Sequence, residues 1–298
     1  MVLGILRPAF FEPGNLRDLL VNSSYTLVVA CGMTVVILSG NIDISVGSQL
    51  AVCSFLSALA AKAGWPLPGV LLAGVGIGAL LGALNGVLVT WGRIPSILVT
   101  LGTMTLLRGA LLWLTGGMWL RDLPPSFTWI GRGSFLGIAN PIWVAGGVAL
   151  VFAVLLSRTR WGRAVYAVGG QARAAELAGV PVPRTTLSAF VVLGALTGLA
   201  SLIYSARFTV VQSNVGAGLE MLVITAVVVG GTDIFGGRGS LFGTVLGVVL
   251  FAVLGTALTF LGVPAYWEGT LQGAMILVAV LSDALATRGA VRRGMARA

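Results

Sequence analysis

The stretch Leu38–Leu50 reads LSGNIDISVGSQL and sets Asp43, one of nine acidic residues in a chain of 298, between two long apolar runs. A carboxylate in that setting can exchange a proton or cation, touch a solute hydroxyl, or accept backbone N–H groups where a helix begins. The spacing favours the last use. Asn41 or Asp43 can cap a helix starting near Ile44, where the helix dipole favours a negative charge, and Gly40 and Gly47 permit a tight turn and close packing. Asp43 is expected at the cytoplasmic end of two spans, where a carboxylate is cheaper than at the bilayer midplane.

The other chemistry-bearing residues are few. The chain has no histidine, and its two cysteines, Cys31 and Cys53, lie in apolar runs as small hydrophobes, so metal and disulfide roles lack material. No G-x-x-x-x-G-K-[ST], G-x-S-x-G or H-E-x-x-H pattern occurs, and nucleotide hydrolysis and common hydrolase chemistry are therefore excluded from this chain. No cofactor is expected. Glu220, Asp233, Glu268 and Asp283 fall near the ends of apolar segments, away from where an ion-coupled transporter keeps its carboxylates. Arg108 is the one charge well inside a segment, as a side chain snorkelling to the outer interface or as a solute contact. Asn85, Ser96, Thr100, Thr103 and Trp113 offer an amide, hydroxyls and an aromatic face to an uncharged polar solute, although Ser and Thr within a span commonly bond their own backbone.

The longest polar region, 158–185, carries the pair Gly169-Gly170, then helix formers from Ala172 to Gly179, then Pro181 and Pro183. It reads as a connecting loop with a short helix about 172–179 in which Arg173 and Glu176 stand one turn apart and Leu177 adds apolar surface. Such a helix suits docking into a partner's groove, and equally a simple surface connection.

The elements that position these groups are membrane spans. Hydrophobic residues make up 57% of the chain and charged residues 9%, far more apolar surface than one soluble core could bury. Runs of about 20 apolar residues predict an all-α polytopic membrane protein with about nine transmembrane helices. They fall near 23–39, 44–63, 69–91, 95–115, 141–157, 186–206, 219–235, 241–262 and 267–285. The net charge of +9 lies between or beyond these runs rather than along one face, which fits membrane topology and not nucleic acid. With a cytoplasmic C-terminus the inner side carries Arg93, Arg158, Arg160, Arg163, Arg173, Arg184, Arg238 and the arginines after 287. The outer side carries Arg7, Arg17, Lys62, Arg121, Arg132 and Arg207, so region 158–185 is expected in the cytoplasm. Nine spans leave the N-terminus outside, an odd parity that a further span ahead of residue 23 would remove. Gly74, Gly78, Gly82 and Gly86 line one helix face and predict close helix packing.

Three segments carry a resemblance: GMTVVILSGNIDISVGS, AVGGQARAAELAGV and ITAVVVGGTDIFGGRGSLFGTVLG. They resemble, in order, signature regions of permease subunits of bacterial ABC importers for monosaccharides of the ribose, xylose and galactose type, over about Val21 to Leu285. The resemblance implies one transmembrane permease domain over 1–298, a type II-like ABC importer fold in the inner membrane, usually of ten helices, with the first one missing here. It implies pairing with a second permease as homodimer or heterodimer, surrounding membrane lipid, ATPase subunits that use the ATP, and an extracytoplasmic solute-binding protein delivering a sugar-like substrate. The coupling contact to the ATPase would involve Gly169, Gly170, Gln171, Arg173, Glu176, Leu177 and Gly179, where relatives usually carry Asn-Glu-Ala-Ala after the glycine pair. The signature and gate positions would be Gly40, Asn41, Asp43, Ser45, Gly47, Ser48, Gly230, Gly231, Gly236, Gly237 and Gly239. Cargo of another kind, a nucleoside, branched-chain amino acid or furanose-like signalling molecule, and an ion-coupled secondary transporter are the alternatives.

Overall fold

Proline and glycine set the element boundaries in the computed structural model, which describes residues 8–212, 214–264, 267, 269–278 and 281. Pro13 opens helix α1 (Pro13–Leu38), and proline stands in the first turn of α3 (Leu67–Thr90), α5 (Pro125–Arg132), α6 (Asn140–Arg158) and α8 (Val182–Phe208), where its missing N–H costs nothing. Between them lie α2 (Val46–Lys62), α4 (Ser96–Thr115) and α7 (Arg160–Leu177), and after them α9 (Leu219–Val229), α10 (Leu241–Phe260) and α11 (Gly269–Val278). A two-residue hairpin, β1 (Ser134–Phe135) with β2 (Ile138–Ala139), completes the outer connection between α5 and α6.

Six of these helices, α1, α3, α4, α6, α8 and α10, are long and apolar enough to cross a bilayer, and α2, α9 and α11 are shorter apolar helices. The all-α polytopic architecture agrees with the sequence reading and differs from it in two segments. The segment expected as a span over 219–235 is helical only to Val229, about 16 Å of rise, because Gly231 takes a left-handed conformation and donates to the Val228 carbonyl. The region 158–185, expected as a loop with one short helix, is helical from Arg160. Its polar and charged residues hide that helix from a hydropathy scan, while Val165 and Val168 bury one side of it. The last expected span, 267–285, extends beyond the described residues, as do Glu268, Asp283 and the C-terminal arginines.

The centre of the bundle is α1 against α8. From Val28 to Leu38 the hydrophobic residues of α1 are wholly buried, and α8 buries Phe190, Leu193, Leu202 and Ile203 against it and its neighbours. Helix α3 reaches α8 through the predicted glycine face. A Cβ on Gly78 would overlap the Gly194 carbonyl, one on Gly82 the Phe190 carbonyl, and one on Gly198 the Gly74 carbonyl, so the two backbones touch. By contrast α3, α4 and α6 turn leucines such as Leu72, Leu80, Leu106 and Leu150 outward, as lipid-facing helices do. Outer connections close over this core through Lys62 donating to the Arg121 carbonyl at 2.9 Å and an Arg207–Asp18 pair at 3.0 Å.

Candidate functional site

Three glycine-bearing backbone segments meet at the end of the bundle that carries region 158–185. Helix α1 stops at Gly40, which is left-handed at φ 78° and donates to Ile37, while Asn41 donates to Val36, the paired bonds of a Schellman stop. Its neighbours are the pair Gly169-Gly170 inside α7 and the loop Gly236–Gly239 that precedes α10. The Gly237 N–H donates to the Leu38 carbonyl at 2.9 Å. A Cβ on Gly169 would overlap that same carbonyl and lie 2.7 Å from the Gly237 nitrogen; one on Gly236 would lie 2.7 Å from the Gly40 nitrogen. Side chains are excluded here because three backbones are in contact. The loop is tied from within by Phe235 N–H to Asp233 Oδ1 at 2.9 Å, and to α7 by the Tyr166 hydroxyl, which donates to the Gly239 carbonyl at 3.0 Å. Burial pushes the Tyr166 phenol above its ordinary range, which keeps it a neutral donor.

Helix α7 breaks directly after this contact. Gln171 is extended (φ −161°, ψ 96°) and divides the helix into 160–170 and 172–177. The second piece ends in another Schellman stop, Gly179 N–H to Glu176 and Val180 N–H to Ala175, with Gly179 at φ 83°. Gln171, Arg173, Glu176 and Leu177 are exposed on it; Arg173 and Glu176 pair at 2.8 Å, and Leu177 is 78% exposed.

Beyond the junction, residues 41–44 enter the bundle as neither helix nor strand, and Asp43 is 0% exposed. The neighbouring helices close over the turn. Asp43 Oδ1 accepts from the Ser45 N–H at 2.8 Å and the Ser45 hydroxyl at 2.6 Å, and Oδ2 accepts from Gln49 at 3.2 Å and Asn85 at 3.1 Å. Ser45 Oγ also accepts from Gln49 at 2.8 Å and Asn85 at 2.9 Å. Asn41 plays no capping part and turns back to the Ser39 carbonyl at 3.1 Å. Gly47, on the first turn of α2, fits against the Gly216 carbonyl and Glu220, and Ser48 is buried beside it.

Of the residues expected along a solute path, three hold this segment in place. Asn85 holds Asp43 and Ser45, Ser96 Oγ accepts from the Ile42 N–H at 3.3 Å, and the Thr100 hydroxyl bonds the Ser96 carbonyl at 2.8 Å within reach of the Ile42 carbonyl. Thr103 donates to the Thr100 carbonyl one turn on, and Trp113, 82% exposed, stands apart from the group. Arg108 is half-buried and donates to the Val215 carbonyl at 2.9 Å, so it braces the α8–α9 connection.

A cavity of about 400 Å³ lies under that connection, lined by Tyr25, Tyr204, Gln212, Asn214 and Gln272 among others. Sequence reasoning did not single these residues out, because α1, α8, the following loop and α11 contribute one or two each and no spacing joins them.

The family described as the branched-chain amino acid transport system / permease component matches residues 15–280. The chain is 37% identical over 297 residues to the autoinducer 2 import system permease protein of Klebsiella pneumoniae, covering 100% of this chain and 85% of that protein. It is 38% identical over 293 residues to the ribose import permease protein of Haemophilus influenzae, covering 95% and 88%. A third relative, the autoinducer 2 import system permease protein of Salmonella typhi, is 34% identical over 295 residues, covering 99% and 85%. No solved structure matches the chain.

Proposed function

The chain belongs to the branched-chain amino acid transport system / permease component family, and from that premise we propose that it moves an uncharged, sugar-like solute inward as the membrane subunit of an ATP-driven importer. It is a multi-pass subunit of the bacterial inner membrane. Ribose and autoinducer 2, the solutes named for its relatives, are the solutes to test first.

The observation that carries the reading is the convergence of Leu38–Gly40, Gly169-Gly170 and Gly236-Gly237 immediately before the exposed helical piece 172–177. A separate ATPase subunit docks on that piece through Leu177, Arg173 and Glu176. Its movement on nucleotide binding passes across the Gln171 break to backbones in direct contact, and from Gly40 along the non-helical 41–44 segment to the base of α2. Packed backbones transmit such a shift because they have no side chains to absorb it. A second permease copy completes the transmembrane unit, a binding protein delivers the solute from outside, and ATP is bound and used only by the ATPase.

The test is uptake into vesicles holding the permease with its ATPase and binding protein. ATP-dependent entry of ribose or autoinducer 2 is the expected result. Ribose entry that follows a proton or sodium gradient without the ATPase, or ATP-dependent entry of leucine alone, would overturn the proposal.

A further inference from the structure

Tyr25 in α1 and Tyr204 near the end of α8 meet edge to face, ring centroids 5.2 Å apart at 85°, and Phe208 backs Tyr204 at 4.6 Å. This rigid aromatic corner forms one wall of the cavity of about 400 Å³ under the α8–α9 connection. Gln212, Asn214 and Gln272, three carboxamide residues, line it together with Leu50, Leu219 and Leu222 and small backbone surfaces at Gly216 and Gly218. Among the described residues that line it, none is charged. The volume lies at the lower end of the roughly 300–1,000 Å³ range of small-molecule sites.

We infer that this cavity is the outer receiving subsite of the permease, built for an uncharged polyhydroxyl ring of monosaccharide size. The inference rests on the importer reading above and adds to it a location and a solute chemistry. A carboxamide both donates and accepts, as a hydroxyl does, so three of them can satisfy a rim of hydroxyl groups without regard to which way each O–H points. Tyrosine supplies an apolar ring for the C–H face of a sugar together with a hydroxyl for its edge. A zwitterion or a phosphate would leave its charges without a counter-charge on the described lining, and burying an unpaired charge is strongly unfavourable. The position is also apt. Leu50 lines the cavity one residue after Gln49, which belongs to the Asp43 network, so release inward requires α2 and α9 to part at the place where the junction's movement arrives.

The experiment uses the assembled importer in vesicles, with Cys31 and Cys53, both buried, replaced by alanine and Gln212→Cys as a reporter. A membrane-impermeant thiol reagent is applied with ribose, ribose 5-phosphate or leucine as probe. Ribose should slow modification several-fold, and the other two should not. In parallel, Tyr204→Ala should raise the ribose concentration for half-maximal uptake roughly two- to tenfold, and Tyr204→Phe, which keeps the ring but loses the hydroxyl, should raise it by less than Tyr204→Ala does. If ribose is imported but neither slows modification nor responds to Tyr204→Ala, the cavity is not the subsite and the importer reading stands. Protection by ribose 5-phosphate would overturn the uncharged-solute chemistry. Protection by leucine, with leucine uptake, would overturn both the subsite and the sugar-importer reading.

Discussion

Replacing Asp43 separates a hydrogen-bonding role from a charge role. Alanine at this position removes the acceptor of the Ser45 N–H and of the Ser45 hydroxyl, while Gln49 and Asn85 keep Ser45 Oγ as a partner. One buried backbone donor is left orphaned, at about 1–3 kcal/mol. With the small void and the lost charge-assisted bond, the total comes to roughly 2–4 kcal/mol. At the ~2–4 °C per kcal/mol typical of larger domains, the apparent unfolding midpoint should fall by roughly 5–15 °C. Asparagine keeps one acceptor oxygen for Ser45 and turns the other position into a donor. That donor has somewhere to go, because Gln49 Oε1 and Asn85 Oδ1 are buried and accept no bond among the described residues; turning both amides over presents an acceptor to each of its N–H groups. Asp43→Asn is therefore expected to stay within about 1 kcal/mol of the parent and to keep ATP-driven uptake. The assay is thermal unfolding of the purified protein followed by size-exclusion, with uptake measured on the same preparations. If asparagine destabilises as much as alanine, the carboxylate charge matters and the network account is wrong. If asparagine is stable but abolishes uptake, Asp43 exchanges a proton or touches solute during transport.

The glycine junction makes a paired prediction. Gly169→Ala should abolish uptake with insertion retained, because its Cβ overlaps the Leu38 carbonyl, whereas Gly170→Ala, whose Cβ has only the Gly237 Cα at 4.0 Å, should transport normally. Gly78→Ala should lower the unfolding midpoint by separating α3 from α8, while Gly76→Ala, with nothing within 4 Å, should leave it unchanged or slightly raised. Tyr166→Phe removes the bond to the Gly239 carbonyl and should cost about 0.5–1.5 kcal/mol in unfolding free energy, with uptake slowed rather than lost. Leu177→Asp should leave the midpoint unchanged, since the side chain is exposed, but prevent co-purification of the ATPase; Arg173→Ala should likewise be neutral for stability, because its pair with Glu176 is solvated.

Much of the architecture was legible in the chain itself. Long apolar runs must be helices in a bilayer, because no other local structure satisfies every backbone group there, and the arginine distribution then orients them. The four-residue glycine spacing in α3 announced close packing, since periodicity is a local property of one helix. What misled the reading was also local. Arg160, Arg163 and Arg173 lowered the hydropathy of a segment that is nonetheless helical, and Val223–Val229 looked continuous with the next residues although Gly230-Gly231 ends the helix.

Composition and pattern thus determined that this is a helical membrane protein, and the resemblance to importer permeases singled out three glycine-bearing segments as its distinctive parts. The tertiary structure alone decided that those segments touch one another, that Asp43 is enclosed by Ser45, Gln49 and Asn85, and that two tyrosines about 180 residues apart share a cavity with three carboxamides. The physical reason is range. Helix formation and membrane insertion are settled within about 20 residues of chain, whereas a site is made where helices distant in sequence cross, and the packing that chooses those crossings depends on the whole bundle at once.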